Sequence, residues 1–398
     1  MKIAYREIEG RSSAYWLLLG ALGALAAAGA AGAWTMEHHG HVVTGMTNQV
    51  VWGLPHVFAV LLIVAASGAL NVATVASVFG REVYKPLAPL SGLLAIALLA
   101  GGLAVLMLDL GRADRITVAM TRYNFTSIFA LNVFLYTGFF AVVALYLWTM
   151  MERRMNRFAR LAGYAAFAWR LVLTTGTGSI FGFLVARQAY DSALLAPMFI
   201  AMSFAYGLAV YLPVLAAAHA WSGRALDPAI LRRLKNLLML FIVAVLYFVA
   251  VFHLTNLYFA RQAAFERFIL LDGGVYPALF WGGQIALGTL APLALLAHPR
   301  LGATRGAIVA ASLLVIAGAL AQMYVTIVGA QAFPLDLFPG LEASSSFFDG
   351  RLHPYAPSLP ETALGLGGVA VAGIIVLLAV KLLPFLPERA DAGAAGVP

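Results

Sequence analysis

Apolar runs of about 20 residues recur along the whole chain, and this feature restricts its fold more than any other. A helix needs about 20 apolar residues to cross a bilayer. Only 11% of the 398 residues are charged, against roughly 25% in soluble domains. We therefore predict an all-α integral membrane protein with about ten transmembrane helices. The predicted spans lie at about 14 to 36, 51 to 79, 88 to 110, 126 to 151, 161 to 186, 193 to 221, 236 to 260, 276 to 297, 306 to 330 and 361 to 385.

The distribution of Lys and Arg predicts the orientation of the protein. With the N-terminus inside, most of these residues fall in inner segments, as in the cluster of four Arg between residues 153 and 160. Because positively charged loops are retained in the cytoplasm, we predict a bacterial inner-membrane protein with both termini cytoplasmic. The net charge of +8 follows from this bias, so it indicates no nucleic-acid partner. The first apolar run is long for a signal peptide, which favours a retained helix over a cleaved leader.

The cysteine and histidine content limits the redox groups that the protein can hold. There is no cysteine, which excludes iron–sulfur clusters bound by the protein's own thiolates. A haem with two His ligands is not predicted, because only His56, His219 and His253 lie within or beside the spans and they do not form a pair at matching depth. Three His between residues 38 and 41 raise the alternative of a metal site, but without a second ligand cluster a hydrated loop or a partner contact is favoured.

Polar side chains inside the spans are candidate functional residues, because a charge at the bilayer centre costs about 2.5 to 3.5 kcal/mol. His56, Ser67 and Asn71 lie on one face of the second span, at helical spacing. For Ser67 and Asn71, hydrogen bonding between helices is the simpler explanation. His56 follows Pro55 near the outer end of its helix, where a mobile membrane carrier can reach it, so a functional role is favoured.

The outer end of the third span carries a second candidate group. Asp109 is placed by the predicted orientation on the same side as His56, so the two side chains are expected to share a pocket. An ion pair with Arg112 or Arg115 explains the carboxylate equally well. Tyr123 and Asn124 then bring aromatic and amide groups to the same level, although Tyr123 also fits an interfacial anchor.

Two ionisable residues deeper in the membrane suggest a route for protons. Arg170 lies inside the fifth span and His253 inside the seventh. Together with Ser67 and Asn71 they are candidates for a polar path toward the cytoplasm. A structural bridge from Arg170 and a hydrogen-bonded core histidine at His253 remain equally good interpretations.

Three short motifs resemble a known family. The residues 48–56 with Trp52 and His56, the turn Asp109-Leu110-Gly111-Arg112 and the triplet Thr126-Ser127-Ile128 are similar to NrfD-like polysulfide reductase membrane subunits, over about residues 45 to 330. Near Trp52, Asp109 and residues 176–179 the sequence is most similar to DsrP-type subunits of the Dsr sulfur-metabolism membrane complex. At Gly53 it departs from the polysulfide reductase relative, which has an asparagine one turn before its histidine.

The resemblance implies a domain organisation. Members of the family typically have eight spans in two four-helix bundles, so one membrane domain over 1–398 would consist of three parts. Residues 1–44 would add a helix and an outer loop, 45–330 would form the family core, and 331–398 would add an outer loop and a last helix. The Pro- and Ser-rich segment before the last helix is expected to form an ordered cap or to contact a partner.

The resemblance also implies a function, which is electron exchange between the quinone pool and an iron–sulfur partner on the periplasmic side. His56 would bind menaquinone or ubiquinone with Asp109 as its proton partner, while Trp52 and Tyr123 pack against the ring and Arg112 and Asn124 complete the site. The expected partners are a periplasmic ferredoxin-like iron–sulfur subunit, a multihaem cytochrome c, a b-type cytochrome and a cytoplasmic iron–sulfur subunit. No haem or iron–sulfur cluster is expected in this protein.

Two other classes of function remain open from the sequence. A secondary transporter also places polar residues at mid-membrane, although the Gly-rich stretches that would break its helices do not occur at corresponding positions here. A passive anchor that only recruits redox partners is the other alternative. Substrate uptake would distinguish the transporter, and quinone binding would exclude the passive anchor.

Overall fold

Long helices account for nearly all of the residues that the computed structural model describes, which are 5–224, 226–335 and 350–388. In order along the sequence they are α1 (Ser13–His39), α2 (Leu54–Ser77), α3 (Glu82–Leu108), α4 (Ile128–Met151), α5 (Ala159–Gly182), α6 (Leu195–Ser222), α7 (Pro228–Tyr258), α8 (Val275–Ala297), α9 (Arg305–Ala332) and α10 (Leu359–Leu382). Nine of these described helices are long and apolar enough to cross a membrane. The less apolar α5 packs between α4 and α6 and has 24 residues. The protein is an all-α, multi-pass integral membrane protein, as the sequence predicted.

Shorter elements lie in the connections and interrupt some of the long helices. Helical turns occupy His41–Val43, Ala113–Arg115, Ile116–Thr121, Asn156–Phe158, Ala260–Gln262, Ala263–Arg267 and Leu301–Ala303, and wider π-helical turns occupy Phe268–Asp272, Ala278–Leu290 and Val325–Gly329. The first part of α3, Glu82–Leu87, is a 3₁₀ turn. Such wide turns inside helices are frequent at functional sites, and all three occur in the second half of the sequence.

A hydroxyl group explains the break in α2, which separates Leu54–Ala69 from Asn71–Ser77. Ser91 of α3 donates from Oγ to the carbonyl of Ala69 at 2.6 Å and accepts from the amide of Ala73 at 3.2 Å. The side chain thus stands between a carbonyl and an amide that would otherwise bond along the helix, and insertions of this kind bend helices. The break places Asn71 at the start of the second piece.

The eight helices α2 to α9 form two groups of four, and α6 of the second group packs against α2 and α5 of the first. The first group is α2, α3, α4 and α5, and the second is α6, α7, α8 and α9. At their contact, a Cβ atom added to Gly68 or Gly207 would overlap the backbone of the opposite helix. Small residues of this kind let membrane helices approach closely, so these two glycines set the distance between the bundles.

The first and last helices pack on each other and against the first bundle. Gly29 of α1 meets Gly367 of α10 backbone to backbone, and α10 also contacts α2 and α3. Two short strands, β1 (Tyr5–Arg6) and β2 (Leu386–Pro387), pair antiparallel. The two ends of the described residues therefore lie on one face, here called the terminal face.

The loops before α2 and after α3 lie at the other end of the bundles, here called the opposite face. The helix α1 reaches this face and continues through His39, although the sequence placed residues 37–39 in a loop. Residues 336–349, in the middle of the segment predicted to cap the protein or contact a partner, lie outside the described residues. That interpretation stays a prediction, as does the assignment of the terminal face to the cytoplasm.

Candidate functional site: a histidine and aspartate pair at the opposite face

The imidazole of His56 and the carboxylate of Asp109 meet where α2 begins and α3 ends. Nδ1 of His56 lies 2.7 Å from Oδ2 of Asp109, and the side chains are 15% and 0% exposed. The contact does not count as a hydrogen bond, and no other donor among the described residues bonds to either oxygen of Asp109. A buried carboxylate without donors is costly, and this one therefore provides an acceptor that a bound donor or a proton would satisfy.

Local helix chemistry places both groups at helix ends. Pro55 occupies the first turn of α2, where a missing amide hydrogen costs nothing, and His56 follows it. Asp109 is the residue that ends α3. The two side chains therefore meet because one helix begins and the other ends at the opposite face.

An aromatic group surrounds Trp52, which lies one turn before His56. The ring centroids of Trp52 and His56 are 6.1 Å apart, with an interplanar angle of 30°. Phe129 of α4, Phe181 of α5 and Tyr190 of the loop after α5 contact the indole, with centroids at 6.0, 5.8 and 6.3 Å. Phe129 is 45% exposed, so this aromatic group extends from the buried carboxylate to the surface of the bundle.

The amide of Gln331 holds the backbone around Trp52. Its Oε1 accepts hydrogen bonds from the amides of Val51 and Trp52, both at 3.0 Å, and its Nε2 donates to the carbonyl of Trp52 at 3.0 Å. Arg187 donates to the carbonyl of Gln331 at 2.9 Å and to the carbonyl of Gln49. An irregular segment before α2 is thus fixed by side chains from α9 and from the loop after α5.

A second clamp comes from α10 and the loop before it. The hydroxyl of Tyr355 accepts from the amide of Leu54 at 2.6 Å and donates to Oε1 of Glu361 at 2.7 Å. Oε2 of Glu361 accepts from the amide of Gly45 at 2.8 Å. A side chain at Gly53 would collide with both Tyr355 and Glu361, which explains why this position is a glycine. Burial, followed by the bond to Glu361, raises the pKa of Tyr355.

The remaining residues predicted at the site make contacts of their own. Arg112 forms a two-pronged ion pair with Asp114, at 3.1 and 3.0 Å, and both side chains are exposed. This guanidinium lowers the pKa of Asp114. Tyr123 packs against Phe134 at a centroid distance of 4.2 Å, and Asn124 accepts hydrogen bonds within the turn before α4. In this structure Arg112 and Asn124 thus have local partners.

Three of the four predicted proton-path residues are in direct contact in the first bundle. Arg170 donates from Nη1 to Oδ1 of Asn71 at 2.8 Å and to the carbonyl of Ser67 at 3.1 Å. Thr174 donates to Oγ of Ser67 at 2.6 Å, and Ser67 donates to the carbonyl of Arg170 at 3.2 Å. These four residues, named the Arg170 cluster below, join α2 to α5. Thr174 was not among the predicted site residues, although it follows Arg170 at i, i+4 spacing in the sequence.

His253, the fourth residue, lies apart in the second bundle and has its own carboxylate. Nδ1 of His253 is 2.6 Å from Oε2 of Glu266, whose other oxygen accepts from Nδ2 of Asn256 at 2.8 Å. Glu266 is fully buried. It belongs to a short helix in the connection after α7, so neither span prediction nor periodicity singled it out. A buried histidine and carboxylate pair therefore occurs in each bundle. Within the described residues, no three His, Asp or Glu side chains gather as a metal site.

Comparison with known proteins establishes the family. The family model described as "Polysulphide reductase, NrfD" matches residues 42–335. The protein is 30% identical to an Hdr-like menaquinol oxidoreductase integral membrane subunit of Archaeoglobus fulgidus, over 98% of both sequences. It is 28% identical to a putative dimethyl sulfoxide reductase membrane subunit of Halobacterium salinarum, over 91% of this sequence and 90% of that one. It is 25% identical to one of the chains of polysulfide reductase from Wolinella succinogenes, over 72% and 96%. The protein belongs to the NrfD family of polysulphide reductase membrane proteins.

Proposed function

We propose that this protein is the quinone-reactive membrane subunit of an electron-transfer complex. The observation that carries the proposal is the contact of His56 with the buried, donor-free carboxylate of Asp109 beside an aromatic group. Two of the relatives are named as membrane subunits of redox enzymes, and one name contains menaquinol, which favours menaquinone as the carrier.

Quinol oxidation sets the chemical task of the site. The reaction releases two electrons and two protons, so each ring hydroxyl needs an acceptor for its proton. Neutral imidazole suits this role near pH 7. We propose that His56 accepts a proton from the quinol and that Asp109 receives it or stabilises the imidazolium. Trp52 packs against the ring, and Tyr123 borders the site.

The electrons must leave through another subunit. The protein contains no cysteine, and thiolates are the usual ligands of iron–sulfur clusters. We therefore propose a ferredoxin-like iron–sulfur partner docked at the opposite face, which would be periplasmic. A multihaem cytochrome c, a b-type cytochrome and a cytoplasmic iron–sulfur protein complete the proposed Dsr-type complex, with a role in sulfur metabolism.

The Arg170 cluster supports a proposed coupling to proton movement. Its hydrogen bonds connect Ser67, Thr174, Arg170 and Asn71 in one line between the opposite face and the terminal face. Protons released at the site, or taken up from the cytoplasm, would follow this line. In vesicles that contain the whole complex, Arg170→Gln should reduce the pH change per electron transferred, whereas an unchanged ratio would remove the cluster from the path.

One pair of variants tests the site itself. We expect His56→Gln to lower kcat for quinol oxidation by about 10² to 10⁴, the usual contribution of a general base, because the amide keeps hydrogen bonding but accepts no proton. Asp114→Asn is the matched control, since this carboxylate lies on the same face but is exposed and paired with Arg112. Quinol oxidation by assembled His56→Gln complexes at the wild-type rate would refute the proposal and favour a passive anchor.

A further inference from the structure

A cavity lies in the cleft between the two bundles, on the side of the terminal face. Its volume is about 280 Å³, close to the lower end of small-molecule pockets, roughly 300 Å³. Residues from α2, α3, α5, α6 and α7 and from the loop after α2 line it. Its walls include Phe79, Phe167, Phe204 and Phe241, and the polar groups Asn71 and Arg170 lie at its deep end. Phe79, in the loop after α2 at the edge of the cavity, is 61% exposed, so the cavity reaches the protein surface near the terminal face.

Arg170 in this cavity has unused hydrogen-bonding capacity. The residue is only 2% exposed, and its Nε has no hydrogen-bond partner among the described residues. In the described part of the protein, no Asp or Glu oxygen lies within 4.0 Å of the guanidinium. Phe204 and Phe167 contact its charge with their faces, at 4.9 and 5.4 Å from the ring centroids. A buried cation needs compensation, and these contacts leave a donor for a ligand.

The walls and the depth of the cavity select the class of ligand. Arg170 follows Ala159, the first residue of α5, by three turns, roughly 16 Å along the helix axis. A phospholipid phosphate does not reach this depth and would need several donors. Aromatic walls and one buried free N–H instead suit a flat, apolar ring with a carbonyl acceptor. We infer that a quinone head group binds in this cavity and accepts a hydrogen bond from Nε of Arg170.

This second site would give the Arg170 cluster a defined end. The cavity touches the cluster at Asn71 and Arg170, so a head group bound there would meet the proposed proton path on its terminal-face side. The inference rests on the proposed function for the class of ligand but not for the location. The two sites are separate, since His56 and Asp109 lie at the opposite face.

Photoaffinity labelling of the assembled complex with an azido-quinone, followed by peptide mapping, tests the inference. We expect two labelled regions, one around residues 52–56 and one in α6 or α7 between residues 204 and 241. Arg170→Gln should lower labelling of the second region about tenfold or more, the effect of losing a hydrogen bond to a charged group. His56→Ala should lower only the first.

A filled-cavity variant covers the case in which Arg170→Gln fails to assemble. Leu237→Trp places an indole in the cavity, because Leu237 lines it, and should abolish the second label. Leu240→Trp is the control one turn away on α7, where the side chain is 60% exposed, and should leave both labels intact.

The outcomes separate the two proposals. Label only around residues 52–56 overturns the second site and leaves the proposed function standing, whereas no label in either region overturns both. If oleate displaces the second label and unlabelled quinone does not, the cavity binds a fatty acid and the inference is wrong. Displacement by quinone with loss of label in Leu237→Trp supports it.

Discussion

Removing the carboxylate of Glu361 should destabilise the protein by several kcal/mol, although this residue lies outside the redox site. Glu361 is fully buried and accepts hydrogen bonds from the hydroxyl of Tyr355 at 2.7 Å and from the amides of Ser358 and Gly45 at 2.7 and 2.8 Å. A buried bond to a charged group contributes about 1.5 to 3 kcal/mol, and a partly buried amide about 1 kcal/mol. The three bonds together predict a loss of about 3.5 to 5 kcal/mol for Glu361→Ala.

The measurement is equilibrium unfolding of the purified protein in mixed micelles with increasing dodecyl sulfate. Glu37→Ala is the control, because Glu37 is an exposed carboxylate at the same end of the molecule. Glu361→Gln should recover part of the stability, since its amide keeps one acceptor oxygen. A loss below about 1 kcal/mol for Glu361→Ala, the size of one ordinary hydrogen bond, would refute the reasoning that this carboxylate maintains the contact between α10 and the start of α2.

The same substitution should also affect the redox site. Tyr355 links Glu361 to the amide of Leu54, which begins the helix that carries His56. If Glu361 is lost, Tyr355 is no longer held and the first turn of α2 loosens. We therefore expect quinol oxidation to fall along with stability, whereas a stable but inactive variant would assign Glu361 a direct role in chemistry.

Three further predictions concern positioning and packing. Gln331→Leu removes the three hydrogen bonds that hold residues 51 and 52, so we expect a red-shifted Trp52 fluorescence and a higher KM for quinol; an unchanged spectrum and KM would contradict the clamp. Because the pKa of Tyr355 is raised above its ordinary value, which is about 10 in the unfolded protein, its stabilising effect relative to Tyr355→Phe should be constant below about pH 10 and decline above it. A stability difference that grows above about pH 10 would contradict this sign. Gly68→Ala should destabilise the contact between the bundles by about 2 kcal/mol or more. Gly20→Ala is the control, because nothing lies within 4 Å of a Cβ atom added there, and it should be neutral or slightly stabilising. Equal effects of the two substitutions on stability would show that the bundles do not depend on this close approach.

The sequence predicted the helices well because the bilayer imposes a simple rule. Each span must satisfy its backbone internally and remain apolar for about 20 residues, and both requirements are visible in the sequence. The span at α5 is the least apolar because of its Arg and Thr residues. It was still predicted, because the other charged residues around it fall between the spans. The π-helical turns in α8 and α9 were not predicted, because they depend on packing against neighbouring helices.

The two proposed sites differ in how far the sequence pointed to them. His56 and Asp109 were expected to share a pocket, because each lies at the outer end of its predicted span, and the structure places Nδ1 of His56 2.7 Å from Oδ2 of Asp109. The sequence also allowed an ion pair between Asp109 and Arg112. In the structure Arg112 pairs instead with Asp114, two residues away. Glu266 was missed because a carboxylate in a connection is ordinarily solvated, and only the tertiary fold buries it against His253.

The sequence by itself determined that this protein lies in a membrane, where its helices run, and which few polar side chains they carry, since hydropathy and charge are local properties. Only the tertiary structure decided which of those side chains meet. Hydrogen bonds hold Trp52 and Leu54 to Gln331, Tyr355 and, through Tyr355, Glu361, which lie about 280 to 310 positions away in the sequence. The cavity at Arg170 forms between the two bundles. Such contacts depend on helix packing in three dimensions, which hydrophobic periodicity along the sequence does not encode.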